Sequence, residues 1–89
     1  MNKENNQNLE KIFNLALKDH QESKFKSAEN NYNKILVKDP NHFNALYLLG
    51  TLNFQTQKFS EAKKNFEKAI LIKPNHAELC NNFGATLIQ

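Results

Sequence analysis

The sequence PNHFNALYLLG at residues 40–50 is restated 34 residues later as PNHAELCNNFG at residues 74–84. Aligning residues 9–42 with residues 43–76, without a gap, gives ten identical pairs: Leu15/Leu49, Gln21/Gln55, Lys24/Lys58, Phe25/Phe59, Ala28/Ala62, Asn31/Asn65, Lys34/Lys68, Pro40/Pro74, Asn41/Asn75 and His42/His76. Self-similarity at a fixed period is the signature of a repeat architecture. The pattern therefore predicts two units, at residues 9–42 and 43–76, and a truncated third unit at residues 77–89.

Each unit has the apolar spacing of two helices. In the second unit, Leu46, Leu49 and Gly50 recur at i, i+3 and i+4, which is one face of a first helix. Ala62 and Phe66 begin the corresponding stripe of a second helix. The equivalent positions of the first unit are Ile12, Leu15, Ala16, Ala28 and Tyr32. These stripes predict an all-α chain of helix pairs.

The corner between units is built on proline. Pro40 and Pro74 are expected to end the second helices, because proline clashes with the preceding turn and biases its neighbour away from helical geometry. Asn41 and Asn75 are then predicted to be the N-caps of the next helices.

This unit resembles the tetratricopeptide repeat over residues 9–89. The matching positions are Leu49, Gly50, Phe59, Ala62, Phe66, Ala69 and Pro74 in the second unit, and Leu15, Ala16, Phe25, Ala28, Tyr32, Ile35 and Pro40 in the first. The resemblance implies a right-handed α-solenoid of antiparallel helix pairs, with about two and a half repeats, that acts as a scaffold for protein–protein contact.

Four small or turn positions have predicted roles within this pattern. Gly50 and Gly84 are expected to let the facing helix approach closely. Ser23 and Gln57 stand where the family's turn glycine lies, so a positive φ there would strain them.

In the family, the first helix of each unit lines a concave groove. Carried over by position, the groove residues are Phe13, Asn14, Leu17, Gln21, Tyr47, Leu48, Thr51, Phe54, Gln55, Asn81 and Asn82. Amides of this kind pair with the backbone of an extended peptide or partner helix, while aromatic rings take its apolar side chains. The alternative is that Phe13 and Leu17 pack against the neighbouring unit and that Gln21 is solvated.

One subtype of the family is not expected. Co-chaperone members hold a peptide's C-terminal carboxylate with lysine, arginine and asparagine side chains. The corresponding positions here are Phe13, Leu17, Leu48, Glu78 and Asn82. Only Asn82 fits, and Glu78 would repel a carboxylate.

A second resemblance suggests another function. The run AENNYNKILVKDPNHFNALYLLG is similar to repeats that precede glycosyltransferase or sulfotransferase domains in bacterial proteins, related to the O-linked N-acetylglucosamine transferases. Asn14 and Asn82 occupy that family's asparagine ladder, and Leu48 interrupts it. The alternative is therefore an N-terminal fragment that presents substrates to a catalytic domain beyond Gln89.

The charge pattern argues against several partners. The net charge is +3, from 12 lysines and no arginine. Arginine is the residue that forks onto phosphates and base edges, so specific nucleic-acid binding is not expected. No apolar run approaches the roughly 20 residues that cross a bilayer. A single cysteine, Cys80, favours a cytoplasmic setting.

No catalytic, metal or cofactor site is expected. His42 and His76 stand at equivalent corners, roughly 10 Å apart if helices pack normally, which is too far for a shared metal. Cys80 occupies the position of Ile12 and Leu46, so it is predicted to be a small buried apolar residue without an activating base. The chain is predicted not to be an enzyme.

The two ends carry the remaining predictions. Residues 1–8 are expected to be a disordered tail. In the truncated third unit, Cys80, Phe83 and Leu87 lie on one stripe of a helix whose partner helix is missing. Because repeat arrays normally end in a polar cap, either the native chain continues or two copies pair through this helix.

Overall fold

The computed structural model describes the backbone of residues 3–89 and the side chains of residues 8–89. Five helices follow one another: α1 (Lys3–Gln21), α2 (Phe25–Lys38), α3 (Phe43–Gln55), α4 (Phe59–Ile72) and α5 (Ala77–Leu87). α1 pairs with α2 and α3 with α4, while α2 packs on α3 and α4 on α5. The molecule is elongated, 41 × 27 × 18 Å, and is the all-α solenoid of helix pairs that the repeat predicted.

The helix at the N-terminus corrects one prediction. α1 begins at Lys3, so residues 3–8 are helical where a disordered tail was expected, and Met1 and Asn2 lie outside the described residues. The segment contains no glycine or proline that would stop a helix. The packed part of α1 propagates toward the N-terminus, because adding a residue to an existing helix is much easier than starting a new one.

The turns inside the two helix pairs are alike. Ser23 has φ 61° and Gln57 has φ 64°, so both adopt the left-handed conformation predicted for the turn glycine of the repeat. The amide of the next residue, Lys24 or Lys58, donates to a carbonyl five residues back at 2.7 Å and closes the turn. A non-glycine residue costs roughly 1–2 kcal/mol in this conformation.

A second repeated contact joins the two helices of each pair. Asn31 Nδ2 donates to Asp19 Oδ2 at 3.1 Å, and Asn65 Nδ2 donates to Asn53 Oδ1 at 2.8 Å. Ser27 Oγ adds a hydrogen bond of 2.6 Å to the same Asp19 oxygen. This contact explains why Asn31 and Asn65 are identical between the units.

The proline corners end the second helices as predicted. Asp39 (φ −137°, ψ 85°) and Lys73 (φ −132°, ψ 84°) have left the helical conformation directly before Pro40 and Pro74.

The next helices begin one residue later than expected. His42 Nδ1 accepts the Ala45 amide at 3.0 Å, and His76 Nδ1 accepts the Leu79 amide at 3.1 Å. The prediction of Asn41 and Asn75 as N-caps is therefore wrong. Asn41 is still in the turn, where its backbone amide donates to Asp39 Oδ1 at 3.3 Å.

The core runs between the helix pairs as the apolar stripes predicted, except at Leu15, which is 55% exposed because no helix among the described residues precedes α1. The side chains of the core form two clusters that share the partly buried Leu36. The fully or almost fully buried members are Ala16, Ala28, Tyr32, Ile35, Ala45, Leu46, Leu49, Leu52, Ala62, Phe66, Ala69 and Leu79.

The two glycines differ in their surroundings. A Cβ at Gly50 would lie 2.6 Å from Phe66 Cε1, so the predicted close approach of α4 is confirmed there. A Cβ at Gly84 would meet nothing within 4 Å, and the prediction for that glycine is wrong. Cys80 on the same helix is exposed, not buried as predicted. Both differences have one cause, because no helix in the described chain covers this face of α5.

Candidate functional site

An open depression lies between α3 and α5, with α4 beneath it. It encloses about 280 Å³, open solvent included, and is lined by Thr51, Phe54, Gln55, Phe66, Asn82 and Ala85. The first three stand at i, i+3 and i+4 on one face of α3, and Asn82 and Ala85 stand at i and i+3 on α5. Four of the predicted groove residues, Thr51, Phe54, Gln55 and Asn82, therefore meet here.

The floor of the depression is aromatic and its rim is polar. Phe54 meets Phe59 edge to face at 5.3 Å, which fixes the orientation of the Phe54 ring. Thr51 Oγ1 donates to the Tyr47 carbonyl at 3.0 Å, so the lone pairs of the hydroxyl stay available to a ligand. The amides of Gln55 and Asn82 supply both donors and acceptors at the edge.

A polar bridge between the first and second helix pairs escaped the sequence analysis. His20 Nε2 lies 2.7 Å from Gln55 Oε1, and His20 Nδ1 lies 3.0 Å from the Tyr32 hydroxyl. Because an amide oxygen only accepts, Nε2 carries the proton and Nδ1 accepts from Tyr32. Burial raises the pKa of Tyr32 to about 12, so its hydroxyl remains a donor at neutral pH.

The second pair has no such bridge. Phe54 and Phe66 stand where the first pair has His20 and Tyr32, and Gln89 stands where Gln55 does. Gln89 Nε2 donates to the Ala85 carbonyl at 3.5 Å instead of reaching across to α3. The depression therefore lies between the second helix pair and α5, at the position where hydrogen bonds join the first helix pair to the second.

Phe13 and Tyr47, the aromatic residues predicted for the groove, are both in contact with a helix N-cap. Phe13 lies 5.6 Å from His42, and Tyr47 lies 5.2 Å from His76, measured between ring centroids. Phe13 also packs against the core, as the alternative interpretation stated. Tyr47 is half-buried, and burial together with the nearby Glu78 carboxylate raises its pKa to about 12.

The remaining predicted groove residues do not converge. Asn14 lines a separate depression with Leu15, on the outer side of α1. Leu48 packs against the core cluster around Leu49, so the predicted asparagine ladder is interrupted by a structural residue. The others differ in exposure: Leu17 is half-buried, and Gln21 and Asn81 are exposed.

The residues predicted for self-association also differ in their exposure. Cys80 and Leu87 are exposed, Leu87 at 52%. Phe83 is partly buried and packs against the second core cluster. Leu79 and Thr86 face the core, which leaves the Cys80–Leu87 side of α5 to solvent.

Comparisons with known proteins agree with this fold. Residues 43–76 match the family model of the tetratricopeptide repeat. The chain is similar, at 29% sequence identity and a TM-score of 0.85, to the C-terminal TPR-containing domain of a Plasmodium falciparum protein described as an FK506-binding protein. The alignment covers 93% of this chain and 55% of that one, so this chain spans little more than half the length of that structure. No curated protein sequence matches.

The chain thus contains a tetratricopeptide repeat and folds as a tetratricopeptide-repeat solenoid. Domains of this class are in general non-catalytic modules for protein–protein interaction. Within the described residues, no helix has both the length and the apolar character needed to cross a membrane.

Proposed function

We propose that this chain is a protein–protein interaction module that binds an extended peptide across α3 and α5. The observation that supports it is the depression with an aromatic floor and an amide rim, formed by Phe54, Phe66, Gln55 and Asn82. An apolar side chain of the peptide lies over the partly exposed Phe54 ring, and the amides pair with its backbone.

Peptide selection from a phage-displayed library against the folded chain tests this function. Ala85→Leu is the diagnostic variant, because Ala85 lines the depression and a larger side chain fills it. We expect the affinity for selected peptides, measured by fluorescence polarisation, to fall by about tenfold or more, since the added side chain takes the place of the ligand's.

Asn33→Leu is the matched control. Asn33 is exposed on α2, so the variant carries the same side chain away from the depression and keeps the affinity. Selection of no peptide, or unchanged binding by Ala85→Leu, contradicts the proposed function.

A second candidate function, self-assembly, is favoured by the exposed side of α5. Cys80, Gly84 and Leu87 are equivalent to Leu46, Gly50 and Asn53, which are buried in the second helix pair. In this proposal, two copies place these faces together in a symmetric contact.

Sedimentation equilibrium from low to high micromolar concentration tests the self-assembly. Leu87→Lys should weaken association by about tenfold or more, because a fully buried leucine contributes roughly 1.5–3 kcal/mol. Leu15→Lys is the control, since Leu15 is 55% exposed and Leu87 52%, but Leu15 lies on α1 at the other end of the chain. A wild-type chain that stays monomeric throughout rules this function out.

A further inference from the structure

We propose that Tyr47 and Glu78 form a subsite for a lysine or arginine side chain of the bound peptide. This inference rests on the proposed function and adds the charge of the ligand. α3 and α5, the helices on either side of the depression, carry a single charged side chain between them, and it is Glu78.

The rings around Tyr47 already hold one cation. Phe43 and Tyr47 stack at 5.9 Å with an interplanar angle of 20°, and His76 lies 5.4 and 5.2 Å from them. The Lys73 ammonium lies 4.4 Å from the centroid of the Phe43 ring. A cation this close to a ring face is attracted by the ring quadrupole. The cluster therefore has the chemistry that a second cation, brought by the ligand to Tyr47, would use.

Glu78 supplies the opposite charge next to this ring. The Glu78 carboxylate lies beside Tyr47 and adds to the effect of burial in raising the pKa of the tyrosine, and Glu78 is exposed. Among residues 8–89, the ion pairs are Lys24–Glu22, Lys26–Glu29 and Lys58–Glu29, and none of them includes Glu78. Its charge is thus free to pair with a ligand while the ring covers the aliphatic stem of the incoming side chain.

Most of the positive charge of the molecule lies elsewhere, and the ammonium of Lys73, which lies beside this cluster, is held over Phe43. Within the second helices, the lysines are Lys26, Lys34, Lys38, Lys63, Lys64 and Lys68. At physiological ionic strength, charges are screened over about 8 Å, and a helix is about 10 Å wide. The net charge of +3 therefore does not decide the sign of the ligand at α3 and α5, and the local carboxylate does.

The subsite also has a defined spacing from the depression. Tyr47 and Glu78 each stand four residues before Thr51 and Asn82, which is about 6 Å along the helix axes. In an extended peptide, residues two apart lie about 7 Å from each other and point to the same side. The expected ligand therefore carries a lysine or arginine two positions from an apolar residue.

An array of nine-residue peptides with blocked termini tests this inference. The peptides place lysine, arginine, norleucine or glutamate two positions before or after a valine, and affinities are measured by fluorescence polarisation. We expect lysine and arginine to bind about three- to tenfold more tightly than norleucine, and glutamate to bind more weakly still. Glu78→Gln should remove most of this preference, and Glu78→Lys should reverse it toward glutamate.

Glu67→Gln is the matched control, because it makes the same change of charge at an exposed site on α4 and should keep the preference. Circular dichroism verifies that each variant is folded. Tyr47→Phe gives a second variant at the site, which should weaken the preference because the hydroxyl no longer positions the Glu78 carboxylate. Peptides that bind without preferring a cation, or that keep the preference in Glu78→Gln, overturn the inference and leave the groove function standing. If the wild-type chain binds no peptide, the groove function fails and the inference fails with it.

Discussion

At Gly50, a missing side chain sets the distance between α3 and α4. A Cβ there would lie 2.6 Å from the Phe66 ring, so Gly50→Ala should destabilise the chain by about 1–3 kcal/mol, the usual cost of overpacking. Gly84→Ala is the paired variant, because its Cβ would meet nothing within 4 Å. It should stabilise α5 by up to about 1 kcal/mol through helix propensity. Urea unfolding followed by circular dichroism measures both, and a shift in the same direction for the two variants contradicts the packing role of Gly50.

Tyr32 should make the chain sensitive to alkali. Its pKa is about 12 in the folded chain because of burial, against about 10 when unfolded. The folded state therefore holds the proton more tightly, and its contribution to stability is complete below pH 10 and is lost as the pH rises from 10 toward 12. A shift of this size corresponds to at most about 2.7 kcal/mol.

Tyr32→Phe measures this contribution. At pH 7 the free energy of unfolding of the variant should be lower by about 1 kcal/mol, because the hydrogen bond to His20 is lost. Phe66 at the equivalent position shows that phenylalanine fits such a site. Between pH 7 and pH 11, the variant should lose less stability than the wild type in urea unfolding. The pKa of about 12 at Tyr47 leaves a smaller pH dependence in the variant. Equal losses in the two chains would show that Tyr32 does not control the alkaline limit.

The role of a single residue was predictable where its structural neighbours are the same in both units. The positive φ at Ser23 and Gln57 and the tight packing at Gly50 follow from alignment with the repeat pattern. Gly84 and Cys80 align equally well, but they lack the covering helix, because an alignment transfers a residue's position without its surroundings.

At the scale of elements, the histidine N-caps fix where α3 and α5 begin. His42→Ala should destabilise the chain by about 1 kcal/mol, because the Ala45 amide loses its acceptor. His42→Asp restores an acceptor and should recover most of that loss. Thermal unfolding compares these variants with Asn41→Ala, the control at the residue that was first expected to cap. A larger effect of Asn41→Ala than of His42→Ala would contradict the assignment.

The helices themselves were predictable, and their ends less so. Apolar periodicity and the two prolines correctly indicated α2 to α5. Both caps moved by one residue because Nδ1 of His42 and of His76 reaches the backbone amide three residues ahead and takes the role expected of the preceding asparagine. The start of α1 was missed because polar composition alone does not distinguish a disordered segment from the solvated first turns of a helix.

For the whole molecule, the two ends of the solenoid differ in polarity. Ala45, Leu48 and Leu52 of α3 pack against the core of the first pair, and their equivalents on α1 are Lys11, Asn14 and Lys18. The outer side of α1 is thus mostly polar, whereas that of α5 exposes apolar atoms at Leu87 and Ile88.

Adding a helix to the apolar end should therefore stabilise the chain. Gln89 is equivalent to Gln55, so a second copy of residues 56–72 fused after Gln89 continues the repeat in register. Covering Cys80 and Leu87 should raise the free energy of unfolding by about 2 kcal/mol or more. A fusion of the same residues in scrambled order is the control. Equal stabilisation by both fusions would mean that the exposed side of α5 is not a repeat interface.

The architecture of the whole chain was predictable from the period of 34 residues, but the location of the depression was not. Gln21, Gln55 and Gln89 align as a ladder, yet Gln55 binds His20, Gln89 binds its own helix, and Gln21 is exposed. The hydrogen bond that distinguishes Gln55 from the other two glutamines joins residues 35 positions apart. A repeat alignment compares equivalent positions without showing which of them touch.

The contacts between neighbouring units also bear on how such a chain diversifies. The positions that are identical between two units specify the fold, so the residues at the other positions can change without loss of the fold. The same two positions of the repeat are occupied by His20 and Tyr32 in the first unit and by Phe54 and Phe66 in the second. The first arrangement joins neighbouring units by hydrogen bonds, and the second leaves an open depression between them. Under the proposed function, one pair of repeat positions serves either to join two units or to bind a ligand, and exchanging a few side chains at such a pair would change the specificity of an array.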